Sequence, residues 1–139
     1  MLTPIKILLA DADTADATEV RWALDKLKVN YSLTHVTSGG EVIRCLQKDD
    51  AEGKLPYVLL MDINLPDKNG VEVLTEIRQN AAWKKIKCFF LSRGGKRPDA
   101  KQLRHLNIAG YISKPFQLSN SLSMDSLNLV IDLVNFKTL

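Results

Sequence analysis

The chain has 139 residues, 45% of them hydrophobic and 25% charged, with a net charge of +3. That length suits one domain with a core of its own, without staples, and the charge is too mild for a chain that binds nucleic acid as a whole. The early apolar run Ile5–Ala10 is too short for a membrane span and carries no signal-peptide cleavage pattern. In chain order, apolar runs at Ile5–Ala10, Tyr31–Val36, 57–61, 87–91 and 110–113 predict strands, several of them apolar throughout, as in strands covered on both faces. Amphipathic segments lie between them. Asp16 with Glu19 reads as a capping box ahead of the stripe Val20, Ala23, Leu24 and Leu27, and Ser38 with Glu41 repeats the signature. Gly70 opens a third helix carrying Leu74, Ile77 and Arg78, residues 99–106 form a weak fourth, and Leu127, Val130, Ile131 and Val134 mark a fifth. SNSLSMDS, residues 119–126, interrupts the pattern as a loop. Five successive βα units predict an α/β fold with a parallel sheet between helices.

Cys45 and Cys88 sit in apolar stretches with no metal-type spacing and read as free thiols of a cytoplasmic protein. His35 and His105 are too few and too far apart for a metal site. The strand ends are more informative. In an open parallel sheet, ligands gather outside the carboxyl ends of the strands, where the strand order reverses. Strand one ends in Asp11, strand three in Asp62, strand four in Ser92 and strand five in Lys114. Any of these alone could cap a helix or face solvent. Together, two carboxylates, a hydroxyl and an ammonium supply what phosphoryl transfer to a carboxylate needs. Asp62 is the nucleophile, Lys114 pairs with it, Ser92 donates to a phosphoryl oxygen, and a divalent cation offsets the charge. Without a cation, two carboxylates 4 Å apart repel by about 4 kcal/mol at an effective dielectric of 20.

The stretches MDINLPDKNGVEVL (61–74), FFLS (89–92) and GYISKPF (110–116) resemble the receiver domain of two-component response regulators. The likeness spans nearly the whole chain, and it is similar to small single-domain regulators of the chemotaxis and phytochrome-associated kinds. It implies a flavodoxin-like (βα)5 fold with strand order 2-1-3-4-5 and helices on both faces. It also implies one receiver domain over residues 1–139 without an output domain, acting as a signalling module and not as an enzyme. Asp62 becomes the phosphoacceptor, Ser92 and Tyr111 the switch residues, and Lys114 with Ser92 the phosphoryl-binding pair. Mg2+ is held by Asp11, Asp62 and the backbone carbonyl of Asn64. Pro115 follows a cis bond, and Pro66 and Gly70 shape the turn into helix three. A rival reading as a haloacid-dehalogenase-type phosphatase takes Asp11 and Asp13 as its Asp-x-Asp pair. It leaves Asp62 without a role and finds no acidic pair after Lys114.

Two departures bear on the site. Where the family has two consecutive acids, this chain has Asp11 and Ala12, so the direct metal ligand is missing and weakened Mg2+ affinity is expected. Asp13 is either a substitute ligand or a helix cap. Arg93 stands where the family has a small residue, positioned to cover Asp62 or to grip a phosphoryl group. The implied upstream partner is a sensor histidine kinase or phosphotransfer protein; membrane and nucleic acid are not expected partners. A downstream protein would bind the helix 4–strand 5–helix 5 face. The basic run Lys84, Lys85, Lys87, Arg93, Lys96, Arg97, Lys101 and Arg104, opposed only by Asp99, suits an acidic one. The alternative is a degenerate receiver that binds its partner independently of phosphate.

Overall fold

Along strand β1 (Ile5–Ala10), Ile7 and Leu9 enter one hydrophobic cluster while Leu8 and Ala10 enter another. Successive side chains of a strand point to opposite faces, so a strand covered on both sides is apolar at every position. Strands β3 (Val58–Asp62) and β4 (Lys87–Arg93) divide in the same way. Val58, Leu60, Phe89 and Leu91 face one side; Leu59, Met61, Cys88 and Phe90 face the other. With β2 (Tyr31–Val36) and β5 (Gly110–Lys114), they form a parallel five-stranded sheet in the order β2-β1-β3-β4-β5. These features come from a computed structural model that describes residues 3–93 and 98–114.

Helix α1 (Thr14–Lys26) covers one face through Ala17, Val20, Ala23 and Leu24. Helices α2 (Gly39–Ala51) and α3 (Gly70–Gln79) cover the other through Val42, Leu46, Val73, Leu74 and Ile77. Fully burying such a side chain is worth roughly 1.5–3 kcal/mol, which is what holds the layers together. A 3-10 turn (Ala81–Trp83), not expected from the pattern, leads into β4 and is tied to α2 by a 3.0 Å hydrogen bond from Trp83 Nε1 to Asp50 Oδ2. Helix α4 (Ala100–Leu103) is shorter than the expected 99–106. The predicted fifth helix, the 119–126 loop, Pro115, Lys96 and Arg97 lie outside the described residues. Among the described residues, no helix is long and apolar enough to cross a membrane.

One helix start needs correction. The N-cap of α1 is Asp13, whose side chain accepts from Ala15 N at 2.9 Å, and Asp16 lies inside the first turn. Half of the Ser38–Glu41 box is present: Ser38 Oγ accepts from Glu41 N at 3.2 Å, while the Glu41 carboxylate accepts at 2.9 Å from Thr37 N, one residue before the cap, and not from Ser38 N.

Candidate functional site

The strand order reverses between β1 and β3, so the crevice of this sheet opens where Asp11 and Asp62 emerge. Asp11 is buried and held on three sides. Its Oδ1 accepts from Asp13 N at 2.9 Å, its Oδ2 from Lys114 Nζ at 3.1 Å, and its carbonyl oxygen from His35 Nε2 at 2.7 Å. A carbonyl can only accept, so His35 carries its proton on Nε2. Asp62 is buried at the end of β3, with Oδ1 accepting from Asn64 N at 2.9 Å and Oδ2 from Lys114 Nζ at 2.5 Å. Ser92 is buried near the end of β4, and Lys114 ends β5 as the register partner of Arg93. Asp11, Asp62 and Lys114 are thus joined as the strand ends predicted, with Ser92 on the neighbouring strand end.

Sequence reasoning missed a third carboxylate. Asp16 is buried, and its Oδ2 accepts from Lys114 Nζ at 3.0 Å. Arg93 reaches the same oxygen from outside, at 3.7 Å. Three carboxylates and one ammonium are a costly set to bury, and close mutual pairing is what makes it tolerable. Burial alone would push Lys114 down; its hydrogen bonds to Asp62, Asp16 and Asp11 outweigh that and hold it well above the ordinary lysine range. Burial pushes the Asp11 carboxyl up, and the Asp13 amide and Lys114 only partly offset the shift.

The remaining predicted residues are more peripheral. Ala12 and Asp13 are exposed, and the Asp13 carboxylate caps α1. Pro66 is exposed in the connection from β3 to α3. Tyr111 is half-buried on β5, its ring centroid 6.1 Å from that of Phe90. An open cleft of about 390 Å³ beside the site is lined by Asn64, Asn69, Glu72, Ser92, Arg93 and Gln102, among others.

The donor set bears on a metal. Asp11, Asp62 and the Asn64 carbonyl are hard oxygen donors, the kind Mg2+ takes, and Mg2+ commonly uses one or two carboxylates while keeping several waters. Among the described residues, no group of three or more acidic, histidine or cysteine side chains could hold a metal, so the three buried carboxylates do not form a closed cage. They converge on Lys114 instead. The residues therefore fit a water-rich ion held by two carboxylates.

Comparison with known proteins agrees with this fold. The chain is 29% identical over 123 residues to the response regulator Rcp1 of Synechocystis, covering 87% of this chain and 84% of that protein. The Mn2+-bound form of Rcp1 is similar in structure, with a TM-score of 0.73, 30% identity and coverage of 87% and 88%. The phosphorylated cyanobacterial phytochrome response regulator RcpA superposes with a TM-score of 0.76 at 28% identity, over 92% of this chain and 91% of that one. The two-component response regulator-like protein APRR1 of Arabidopsis is 29% identical over 120 residues, which cover 86% of this chain and 19% of that protein. The profile of the response regulator receiver domain matches residues 7–124. On that match, and on the parallel 2-1-3-4-5 sheet that carries it, this chain belongs to the response regulator receiver family.

Proposed function

We propose that Asp62 accepts a phosphoryl group from a histidine kinase or phosphotransfer protein and that the chain signals through protein contacts. The observation that carries this reading is the pairing of Asp62 with Lys114 beside Asp11 at the strand-order reversal. A carboxylate oxygen of Asp62 attacks phosphorus, the bond to the donor nitrogen breaks, and an acyl phosphate forms. Lys114, already on Asp62, stays with the oxygens of the transferred group. Ser92 donates its hydroxyl to one of them, and Tyr111 follows as the second switch residue. Mg2+, when bound through Asp11, Asp62 and the Asn64 carbonyl, supplies charge neutralisation. Ala12 offers no side-chain oxygen there, which supports weakened Mg2+ affinity. Asp13 is a helix cap in this reading, since one of its carboxylate oxygens accepts from Ala15 N at the start of α1.

On this reading the chain is a signalling module and not an enzyme. Its downstream contact lies on the face of α4 and β5, where Lys101 and Arg104 are among the basic residues that favour an acidic protein over nucleic acid or membrane. The intact mass of the wild type should rise by one phosphoryl group when a small acyl phosphate and Mg2+ are supplied, and that of Asp62→Asn should not. Uptake by Asp62→Asn would displace the acceptor assignment. Absence of uptake in both would favour a second reading, a receiver-like module that binds its partner independently of phosphate, for which Ala12 is the motivating observation.

A further inference from the structure

Asp16 holds two cations of unlike character. Lys114 is buried, and Asp16 is one of three carboxylates bonded to it. The Arg93 side chain is 61% exposed, and its nearest nitrogen stands 3.7 Å from Asp16 Oδ2, beyond hydrogen-bond length. A pair of this kind is weak, because water screens it and ordering a long side chain costs entropy. The base of Arg93 is nevertheless well fixed. It follows Ser92 on β4, it is paired in register with Lys114 on β5, and it lines the cleft together with Ser92 and Asn64. The guanidinium is therefore anchored next to the carboxylate cluster and held there only loosely.

A phosphoryl group on Asp62 would compete for it. The modification replaces a single charge with nearly two and presents three strong acceptor oxygens. A guanidinium matches such oxygens with two parallel donors, which a lone carboxylate oxygen at 3.7 Å does not exploit. We propose that Arg93 is a phosphoryl-binding residue, resting on Asp16 in the unmodified chain and passing to the phosphoryl oxygens when Asp62 is modified. The inference rests on the reading of Asp62 as acceptor. It adds no covalent step: Arg93 exchanges one ionic contact for another.

Beryllofluoride at fixed Mg2+, followed by fluorine NMR of the bound fluorides, tests this on wild type, Arg93→Ala and Arg93→Lys. Mg2+ affinity is measured separately on each without beryllofluoride. Loss of one charge-assisted contact should weaken beryllofluoride binding by about 10-fold in Arg93→Ala. Mg2+ affinity should stay level or rise, since a cation beside the carboxylates has been removed. Arg93→Lys should recover part of the loss, as it restores the charge and not the paired donors. Equal beryllofluoride affinity in wild type and Arg93→Ala overturns the assignment of Arg93 and leaves Asp62 untouched. So does a fall in beryllofluoride binding matched by an equal fall in Mg2+ binding. A wild type that neither captures beryllofluoride nor gains phosphoryl mass overturns the acceptor reading and this inference with it.

Discussion

Gly70 stands so close to the end of β3 that a Cβ built on it would lie 2.9 Å from the Asp62 carbonyl oxygen and 2.9 Å from Phe90 Cε1. Its own amide donates to Ile63 O at 2.7 Å, which pulls the start of α3 against the strand that carries the acceptor. Gly70→Ala should therefore cost about 1–3 kcal/mol in urea unfolding, the range for overpacking, and should lower phosphoryl uptake by shifting Asp62. Unfolding within ~0.5 kcal/mol of wild type would mean that the strand end yields freely. Asp16 shows a limit of sequence reading at the same scale. The chain offers both Asp13 with Asp16 and Asp16 with Glu19 at capping-box spacing, and local pattern does not choose between them. The choice is made by Lys114, 98 residues away, which draws Asp16 into the buried cluster and leaves Asp13 to cap the helix. Asp11, Asp62 and Lys114 were legible because each ends an apolar run; Asp16 lies past the strand and carries no such signal.

At the scale of elements, Asp67 clasps two of them. From the connection between β3 and α3 it accepts from Gly39 N at 2.7 Å and Gly40 N at 2.8 Å, occupying the first amides of α2. The bonds from Gly40 and Gly39 hold its carboxyl below the ordinary value of 3.8, so the folded chain binds that proton less tightly than the unfolded one. The contribution is present above pH 3.8 and is lost as the pH falls through the lower, folded value. Asp67→Ala should melt below wild type at neutral pH, and the gap should close in strong acid; a gap unchanged by pH would point to lost packing instead. Element limits were legible where hydrophobicity ended with the ladder. Strands β1 and β2 match their apolar runs end to end. Strand β4 runs two residues past the expected 87–91, because Ser92 and Arg93 still pair with Ser113 and Lys114 after the apolar pattern has stopped. Pairing partners on another strand decide that extension, and a single run of sequence does not contain them.

Over the whole molecule, the order of the strands places the charges. Because β1 lies between β2 and β3, and β4 and β5 follow on one side, acids from the first and third strands meet the lysine of the fifth. The alternation of strands and helices was readable from periodicity, whereas the order 2-1-3-4-5 was reached through resemblance, since hydrophobic pattern does not say which strand pairs with which. The same sheet gives Cys88 an experimental use. Its thiol is 1% exposed, opposite Leu59 in the β3–β4 ladder, and burial pushes it up to about 12. At pH 8 it is neither ionised nor reachable, so the intact sheet should shield it from a thiol reagent. The half-buried Cys45 should react first, and Cys88 only as often as the sheet opens. At a reagent concentration high enough for labelling to outpace reclosing, mass spectrometry of timed labelling then reads the opening rate, with no added dye or mutation. A ligand that binds only the closed form should slow Cys88 by a factor near the ratio of its concentration to its dissociation constant. Labelling of native Cys88 as fast as a free thiol would mean that the sheet does not shield it. Every molecule of this chain thus carries its own clock for how long the sheet stays shut.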